Sequence, residues 1–324
     1  MRYSRQEVLI GKADQDILSK KTACIVGLGA LGGVASELLC RSGVNLSIFD
    51  YDLVSESNLQ RQTLYTEEDI SKLKVIQAKE RLQRINSDIL ISSKAVRIDE
   101  DNVDLLHGDI ILDCTDNIET RLVLNSYAKQ KEIPLIHGAA LGPVGVFFAA
   151  VPSGPCLSCL YEDKKAIESC ESAGVYNSVT SVVGALQANE ALKHLLGKEF
   201  ERRIVRFSLE NNSFSFFDVS KKKNCKVCGG NSSSDGKLSF NGSDFHISIC
   251  KDKGGVLVKP YGHVKLNLDK IRAKFPVIMD ASVVLVIEKD YQVVVHSFGE
   301  LLFKGCSDVR AASSAAQKIF EAGI

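Results

Sequence analysis

The chain has no run approaching the ~20 apolar residues of a membrane span. Its opening stretch, MRYSRQEVLIG, has neither the apolar centre of a signal peptide nor the arginine and serine richness of a transit peptide. It also lacks net charge: 40 Lys and Arg face 40 Asp and Glu, so there is no basic surplus of the kind that holds nucleic acid. The six histidines show no metal-ligand spacing; His137, following Pro134-Leu135-Ile136, reads as a strand-end residue, and no catalytic histidine is expected. These absences describe a cytoplasmic protein with neither membrane nor nucleic acid among its expected partners. What remains is ordinary for a packed globular chain of 324 residues, 45% hydrophobic and 25% charged, with room for one large domain and one small one.

The informative part begins at Lys21 to Val26, a short apolar run of the kind that makes a buried parallel strand. It leads directly into Gly27-Leu28-Gly29-Ala30-Leu31-Gly32-Gly33 and then, from Ala30 to Ser42, into apolar residues at helical spacing. Glycines let backbone approach a phosphate closely, and the first-turn amides of the helix face the anion they admit. A second strand, Asn45 to Phe49, ends in Asp50, close to the ~20 residues at which a strand-end acid meets a ribose hydroxyl. Strand, glycines, helix, strand and acid in this order indicate a nucleotide site without saying which nucleotide.

The residues after Asp50 discriminate. A redox domain needs little cationic charge there, whereas attack at the α-phosphorus of a triphosphate needs fixed positive groups. This chain offers Asn58, Arg61 and Lys74 within one span. A further strand, Asp109 to Asp113, ends in Cys114-Thr115-Asp116-Asn117, and strand-end groups of open α/β sheets share one crevice, so Asp116 and Asn117 are expected beside Asp50. Asp116 there reads as a Mg²⁺ ligand, and it or Thr115 could also cap the helix beginning near Ile118, two roles that can coexist.

Four of the ten cysteines form two CxxC pairs, Cys156/Cys159 and Cys225/Cys228. Each pair can present two thiolates to one tetrahedral ion, and a set of four is the closed, structural type of zinc site. Cys24, Cys40, Cys114, Cys250 and Cys306 lie in or beside apolar runs and read as small buried hydrophobes. Gly138 to Gly145 (GAALGPVG) suits either a narrow channel wall or a strand-to-strand turn. The spacing predicts a helix over Ser178 to Leu196, closed by Gly197, and an antiparallel pair, Ile204 to Leu209 with Ser213 to Val219, around Glu210-Asn211-Asn212. The turn-forming stretch 231–237 reads as a linker between a first domain, 1–230, and a small α+β domain, 238–324. Strands in the latter are expected at His246 to Cys250, Val283 to Glu288, Tyr291 to His296 and Glu300 to Lys304, with helices at Leu268 to Phe275 and Val309 to Ala322, the last capped by Asp308. The fold class is therefore α/β, a Rossmann-like, mostly parallel sheet with helices on both faces and a four-cysteine zinc site, followed by the small α+β domain.

RYSRQ at 2–6, GLGALGG at 27–33, FDYDLVSESNLQRQ at 49–62 and LDCTDN at 112–117 resemble the MoeB/ThiF family, relatives of the ubiquitin-activating enzymes, over roughly seven-tenths of the chain. The resemblance implies ATP, Mg²⁺ and Zn²⁺ as cofactors, with Gly29, Asp50, Asn58, Arg61 and Lys74 binding ATP. Asp50 would hold the ribose, Arg61 and Lys74 the phosphates, Asp116 the magnesium, and the flanking Gly27, Gly32, Ser57, Leu59, Gln60 and Asn117 would complete the pocket. It implies a homodimer in which Arg5 reaches the neighbouring subunit's site, and zinc on Cys156, Cys159, Cys225 and Cys228. The activity implied is adenylation of the C-terminal glycine of a ubiquitin-like or sulfur-carrier protein ending in Gly-Gly, with strands like Ile204 to Val219 cradling that partner.

In the sulfur-transferring members a cysteine placed like Cys170 forms a thioester or persulfide with the carrier; in the plain adenylating members it is dispensable. The residues leave both open, since Glu168 and Glu171 oppose the lowered pKa that thiolate reactivity needs. The C-terminal domain is too short for the rhodanese domain of some relatives, and the surroundings of Cys306 do not fit its active loop, so sulfur is expected from a separate sulfurtransferase. The alternatives are adenylation of a tRNA base or a peptide, and a silent scaffold of the kind that loses the arginine and metal-binding aspartate retained here.

Overall fold

A computed structural model describes residues 2–160, 174–229, 245–250, 255–260, 264–281, 283–288 and 291–324. The chain forms two compact units, Met1–Ser233 and Ser234–Ile324.

The first unit opens with helices α1 (Ser4–Ile10) and α2 (Lys12–Leu18) and then alternates strand and helix: β1 (Thr22–Val26), α3 (Ala30–Arg41), β2 (Asn45–Asp50), α4 (Lys74–Ile85), β3 (Ile91–Ala95), β4 (Ile110–Asp113), α5 (Ile118–Gln130) and β5 (Leu135–Leu141). The chain then turns antiparallel through β6 (Val144–Ala150), passes a short helix α6 (Leu157–Leu160) and a long one, α7 (Asn177–Leu195), and ends in β7 (Ile204–Ser208) and β8 (Ser213–Phe217). Strand order is β3-β2-β1-β4-β5-β6-β7-β8, with the first five strands parallel. The order reverses between β1 and β4, and ligands of open α/β sheets bind outside the carboxyl ends of the strands at such a point.

Both faces of the sheet are covered, and the two-residue period of the strands shows it. Ala23 and Ile25 of β1 join one core with Ala35 and Leu39 of α3, Val75 and Leu82 of α4 and Ala191 of α7. Cys24 and Val26, on the other face, pack with Leu124 and Tyr127 of α5. The Gly138 to Gly145 stretch is the β5–β6 turn: a Cβ on Gly138 would meet the Gln187 side chain at 2.5 Å and one on Gly145 the Phe207 ring at 2.3 Å, so packing demands both glycines. Gly197 (φ 65°) follows α7, and Asn212 (φ 52°) turns the β7–β8 hairpin, both as the sequence indicates.

The second unit is a six-stranded antiparallel sheet, β11-β12-β13-β14-β10-β9, with helices α8 (Leu268–Lys274) and α9 (Val309–Gly323) packed on one apolar face. Its strands are β9 (Phe245–Cys250), β10 (Gly255–Pro260), β11 (Val277–Asp280), β12 (Val284–Glu288), β13 (Gln292–His296) and β14 (Leu301–Lys304). Asp308 caps α9, accepting from the Arg310 and Ala311 amides. The sequence reading lacks β10 and β11. Both apolar runs are short, and β10 ends in Pro260, which breaks strand pattern everywhere except at a strand's end. The stretch 231–237 and Cys170 lie outside the described residues, as does the Cys250 side chain.

Candidate nucleotide and metal sites

Gly27, immediately after β1, adopts φ 89°, and a Cβ there would sit 2.7 Å from the Cys114 carbonyl oxygen. A Cβ on Gly32 would fall 1.9 Å from the Gly27 carbonyl oxygen, so the turn and the helix it starts close only with glycine at both places. Gly29 differs: the nearest atom to its missing Cβ is Gln62 Nε2 at 3.6 Å, which leaves open space over the first amides of α3. That space, framed by backbone N–H groups, fits a phosphate.

Asp50 ends β2 and is buried. Its Oδ2 accepts from the Leu28 amide and its Oδ1 from the Asp52 amide, both at 2.7 Å, which ties the acid to the glycine turn. Burial drives its pKa up, and Asp52 adds to this; Lys74 and the two amides oppose it, and the balance is about 6. Lys74 begins α4 with its ammonium 3.1 Å from Asp52 Oδ2 and a side chain only 6% exposed. Tyr65, also buried, donates from its hydroxyl to the Leu28 carbonyl at 2.9 Å.

Between Asp52 and Lys74 the chain leaves the sheet and returns, its base closed by Leu53 pairing with Leu73 and by the Lys74 amide bonding to the Asp52 carbonyl. This excursion carries the charged segment. Ser57 is exposed, Asn58 is buried at 8%, and Leu59 packs against the core. Arg61 Nη1 donates to the Ser57 carbonyl at 3.0 Å, and the Gln60 carbonyl accepts from Asn177 at the start of α7. Arg5 is exposed on α1, one turn from Val8 and Leu9, which are 86% and 85% exposed.

At the end of β4, Asp116 is exposed, and its carboxylate has no hydrogen-bond or ionic partner among the described residues. The α5 cap is Asn117, whose side chain accepts from the Thr120 amide, and neither Thr115 nor Asp116 is needed for it. That leaves Asp116 available for a cation. Thr115 is instead held by Asp113, which accepts from its amide at 3.0 Å and its hydroxyl at 2.7 Å.

His137 corrects the sequence reading. It is 1% exposed within β5, in register with Asp113 of β4, and its Nδ1 lies 2.7 Å from Asp113 Oδ2. Arg121 of α5 brings its Nε to 3.5 Å from the same oxygen. Burial holds the imidazole pKa down despite the neighbouring carboxylate. Burial would raise Asp113, but the hydrogen bond from His137 and the charge of Arg121 outweigh it and hold the carboxyl low. The trio is thus carboxylate, guanidinium and neutral imidazole. A fully apolar strand, Ile110 to Leu112, that ends in an acid signals a buried charge needing partners; only the register shows that His137 is one.

The two CxxC pairs meet. The four cysteines are buried, with all sulfurs within 4.8 Å of one another and contacts of 3.4, 3.6 and 4.0 Å. A tetrahedral ion with metal–sulfur bonds of ~2.3 Å requires sulfur spacings of about 3.8 Å, so the cluster fits zinc. Helix α5 buttresses the first pair: Asn125 Oδ1 accepts from the Leu157 amide at 2.8 Å and its Nδ2 donates to Ser158 Oγ at 3.0 Å.

No helix among the described residues is long and apolar enough to cross a membrane. Comparison with known proteins places the chain in a family. A profile described as the ThiF family matches residues 3–227. The sulfur carrier protein ThiS adenylyltransferase of Bacillus subtilis (strain 168) is 40% identical over 240 residues, covering 70% of this chain and 71% of that protein. The molybdopterin-synthase adenylyltransferase of Escherichia coli (strain K12) is 37% identical over 240 residues, covering 71% of this chain and 96% of that protein. The crystal structure of E. coli MccB with ATP shares the fold, with a TM-score of 0.64 at 22% identity over 71% of this chain and 75% of that one. The chain belongs to the ThiF family.

Proposed function

We propose that this chain is an ATP-dependent adenylyltransferase that activates the C-terminal glycine carboxylate of a ubiquitin-like or sulfur-carrier protein ending in Gly-Gly, in the cytoplasm. The observation that carries the reading is a convergence at one point of the sheet. The open glycine turn, the buried Asp50, the preset Lys74 and the unpartnered Asp116 all lie at the carboxyl ends of β1, β2 and β4.

The chemistry needs alignment and charge, with no covalent group on the protein. A carrier carboxylate oxygen attacks the α-phosphorus of ATP; the bond to the β-phosphate bridging oxygen breaks, and pyrophosphate leaves with the acyl-adenylate formed. Asp50, ionised above about pH 6, accepts from the ribose hydroxyls. The amides after Gly27 take the phosphates, with Gly32 closing the turn and Ser57, Asn58, Leu59, Gln60 and Asn117 around it. Lys74 and Arg61 meet the growing charge on the leaving oxygens, together with Arg5 of a second protomer; the exposed Val8 and Leu9 beside Arg5 support burial of α1 in a homodimer. Asp116 would hold Mg²⁺, which neutralises charge on the departing pyrophosphate. Cys156, Cys159, Cys225 and Cys228 would hold a structural zinc.

Cys306 is 3% exposed, with Sγ bonded to the Asp308 carbonyl, which supports a separate sulfurtransferase over a reactive cysteine in the C-terminal unit. Attack of the Cys170 thiolate on the acyl-adenylate carbonyl, with AMP leaving, would give a thioester. A Cys170 persulfide whose outer sulfane sulfur came from the separate sulfurtransferase would displace AMP in the same way and join the carrier through a disulfide-type bond. In either case Cys170→Ala should remove a reductant-sensitive conjugate while leaving adenylation intact. The test of the whole reading is ATP/pyrophosphate exchange with the purified chain and candidate Gly-Gly carriers. Exchange that depends on one carrier is expected. No exchange with any carrier, in protein that binds ATP, would sink the substrate assignment.

A further inference from the structure

Asp113, His137 and Arg121 make a buried, charge-paired group at the turn that carries Asp116. Thr115, the residue before Asp116, is gripped at all three of its polar groups. Its amide and hydroxyl donate to Asp113 Oδ1 at 3.0 and 2.7 Å, and its carbonyl accepts from Arg121 Nη2 at 2.5 Å. The grip is anchored from below. Gln187 of α7 donates to the Asp113 carbonyl at 2.9 Å and to the Ile136 carbonyl at 3.1 Å, fastening the end of β4 to the start of β5.

The division of labour within the group is uneven. Asp113 Oδ2 takes its hydrogen bond from His137 Nδ1, and Arg121 Nε at 3.5 Å makes none with any described residue. His137 thereby satisfies the buried carboxylate and leaves the guanidinium to hold the Thr115 carbonyl. Without the imidazole, Asp113 would be a buried charge short of a donor, and the nearest cation to turn towards it is Arg121. Such a turn releases Thr115, and with it the aim of the next carboxylate.

We propose that His137, Asp113 and Arg121 are positioning residues for Asp116, and that His137 acts by keeping Arg121 on the Thr115 carbonyl rather than on Asp113. This rests on the reading of Asp116 as the group that meets the nucleotide-bound cation. The trio touches neither nucleotide nor cation; its effect is confined to how well Asp116 is placed for the metal.

The experiment is calorimetric titration of ATP into the full chain, without divalent cation and across a Mg²⁺ series, for wild type, His137→Phe, His137→Asn and Thr115→Val. Asparagine keeps an N–H donor near the Nδ1 position, and Thr115→Val removes one bond at a half-buried site, so at least one variant tests the idea without disturbing the buried charges. Groups that orient a metal-binding side chain are worth ~10- to 100-fold in metal affinity. His137→Phe should therefore need about 10-fold or more Mg²⁺ for its half-maximal effect on ATP binding, with metal-free ATP affinity within about 2-fold of wild type; His137→Asn should recover most of the loss and Thr115→Val should show a smaller shift in the same direction. A folded His137→Phe with wild-type Mg²⁺ dependence overturns the proposal, as does a parallel loss of metal-free ATP affinity. A wild-type protein whose ATP binding ignores Mg²⁺ overturns the assignment of Asp116 as well, so the two failures are distinguishable.

Discussion

Lys74 Nζ lies 3.1 Å from Asp52 Oδ2 at the mouth of the glycine turn, on a side chain that is 6% exposed. Two residues before Asp52, burial lifts the pKa of Asp50 to about 6, and the same ammonium is the chief group opposing the rise. Lys74 therefore serves two acids in the free protein before it meets any phosphate. Lys74→Met should take this cation away from both carboxylates, and breaking a largely buried pair costs about 3 to 5 kcal/mol. The variant should melt earlier and lose exchange by at least ~100-fold, as loss of a preset charge-stabilising group does. Thermal unfolding and pyrophosphate exchange check the two halves; exchange near the wild-type rate would remove Lys74 from the reaction.

Asp116 gives the opposite profile. Because its carboxylate is exposed and serves no described residue, Asp116→Ala should leave the melting temperature unchanged while abolishing exchange. A substitution that damages the fold and the activity together would instead make Asp116 a structural residue. Measuring both on one preparation separates these outcomes.

Much of this site was legible in the sequence because its parts are local. A glycine at a positive-φ turn, an acid at a strand end and a CxxC pair each satisfy a constraint within a few residues, so Gly27, Asp50 and the four cysteines could be named before any fold was known. Cap chemistry was legible for Asp308, but at α5 the sequence pointed to Thr115 and Asp116, and the fold uses the next residue, Asn117. His137 was misread because its meaning is non-local. It lies 24 residues from Asp113, and nothing in Pro134-Leu135-Ile136-His137 says that β5 pairs with β4 in the register that sets the two side by side. Arg121 and Asp52 were missed for the same reason: each is an ordinary charged residue until a partner arrives from another element.

With Asp50 as the proposed ribose acceptor, ATP binding should depend on pH. Its raised pKa means that the folded protein binds this proton more tightly than the unfolded chain, so the group's contribution to stability is most favourable at low pH and declines as pH rises towards and through about 6. Nucleotide binding runs the other way, since ribose hydroxyls donate to the ionised form. ATP affinity should rise as pH passes from about 5 to about 7, and Asp50→Asn should bind weakly and lose that rise. The phosphates of ATP titrate nearby, so the difference between wild type and variant is the quantity to measure. Equal pH profiles for the two would exclude Asp50 as the ribose acceptor.

Helix α5 gives the four-cysteine site a dependence on residues outside the cysteines themselves. Asn117, Arg121, Asn125 and Lys129 recur every four residues along it, so the side chains climb one side of the helix with a slow drift. The first caps the helix, the second holds the Thr115 turn, and the last two hold the first cysteine pair. Lys129 Nζ donates to the carbonyls of Val151, Pro152 and Gly154 on the approach to Cys156. Asn125 bonds the Leu157 amide and Ser158. Asn125→Leu would leave the buried Leu157 amide unsatisfied, a cost of about 1 to 3 kcal/mol, and free the first pair to move against the second. Zinc should then pass to a competing chelator about 10 to 100 times more readily, while all four cysteines remain in place. A chelator titration identical to wild type would mean that the cysteine pairs are positioned by the metal alone. The same titration on Lys129→Met, which alters the approach loop but not the Leu157 amide, distinguishes a loss that follows the unsatisfied amide from one that follows general loosening of α5.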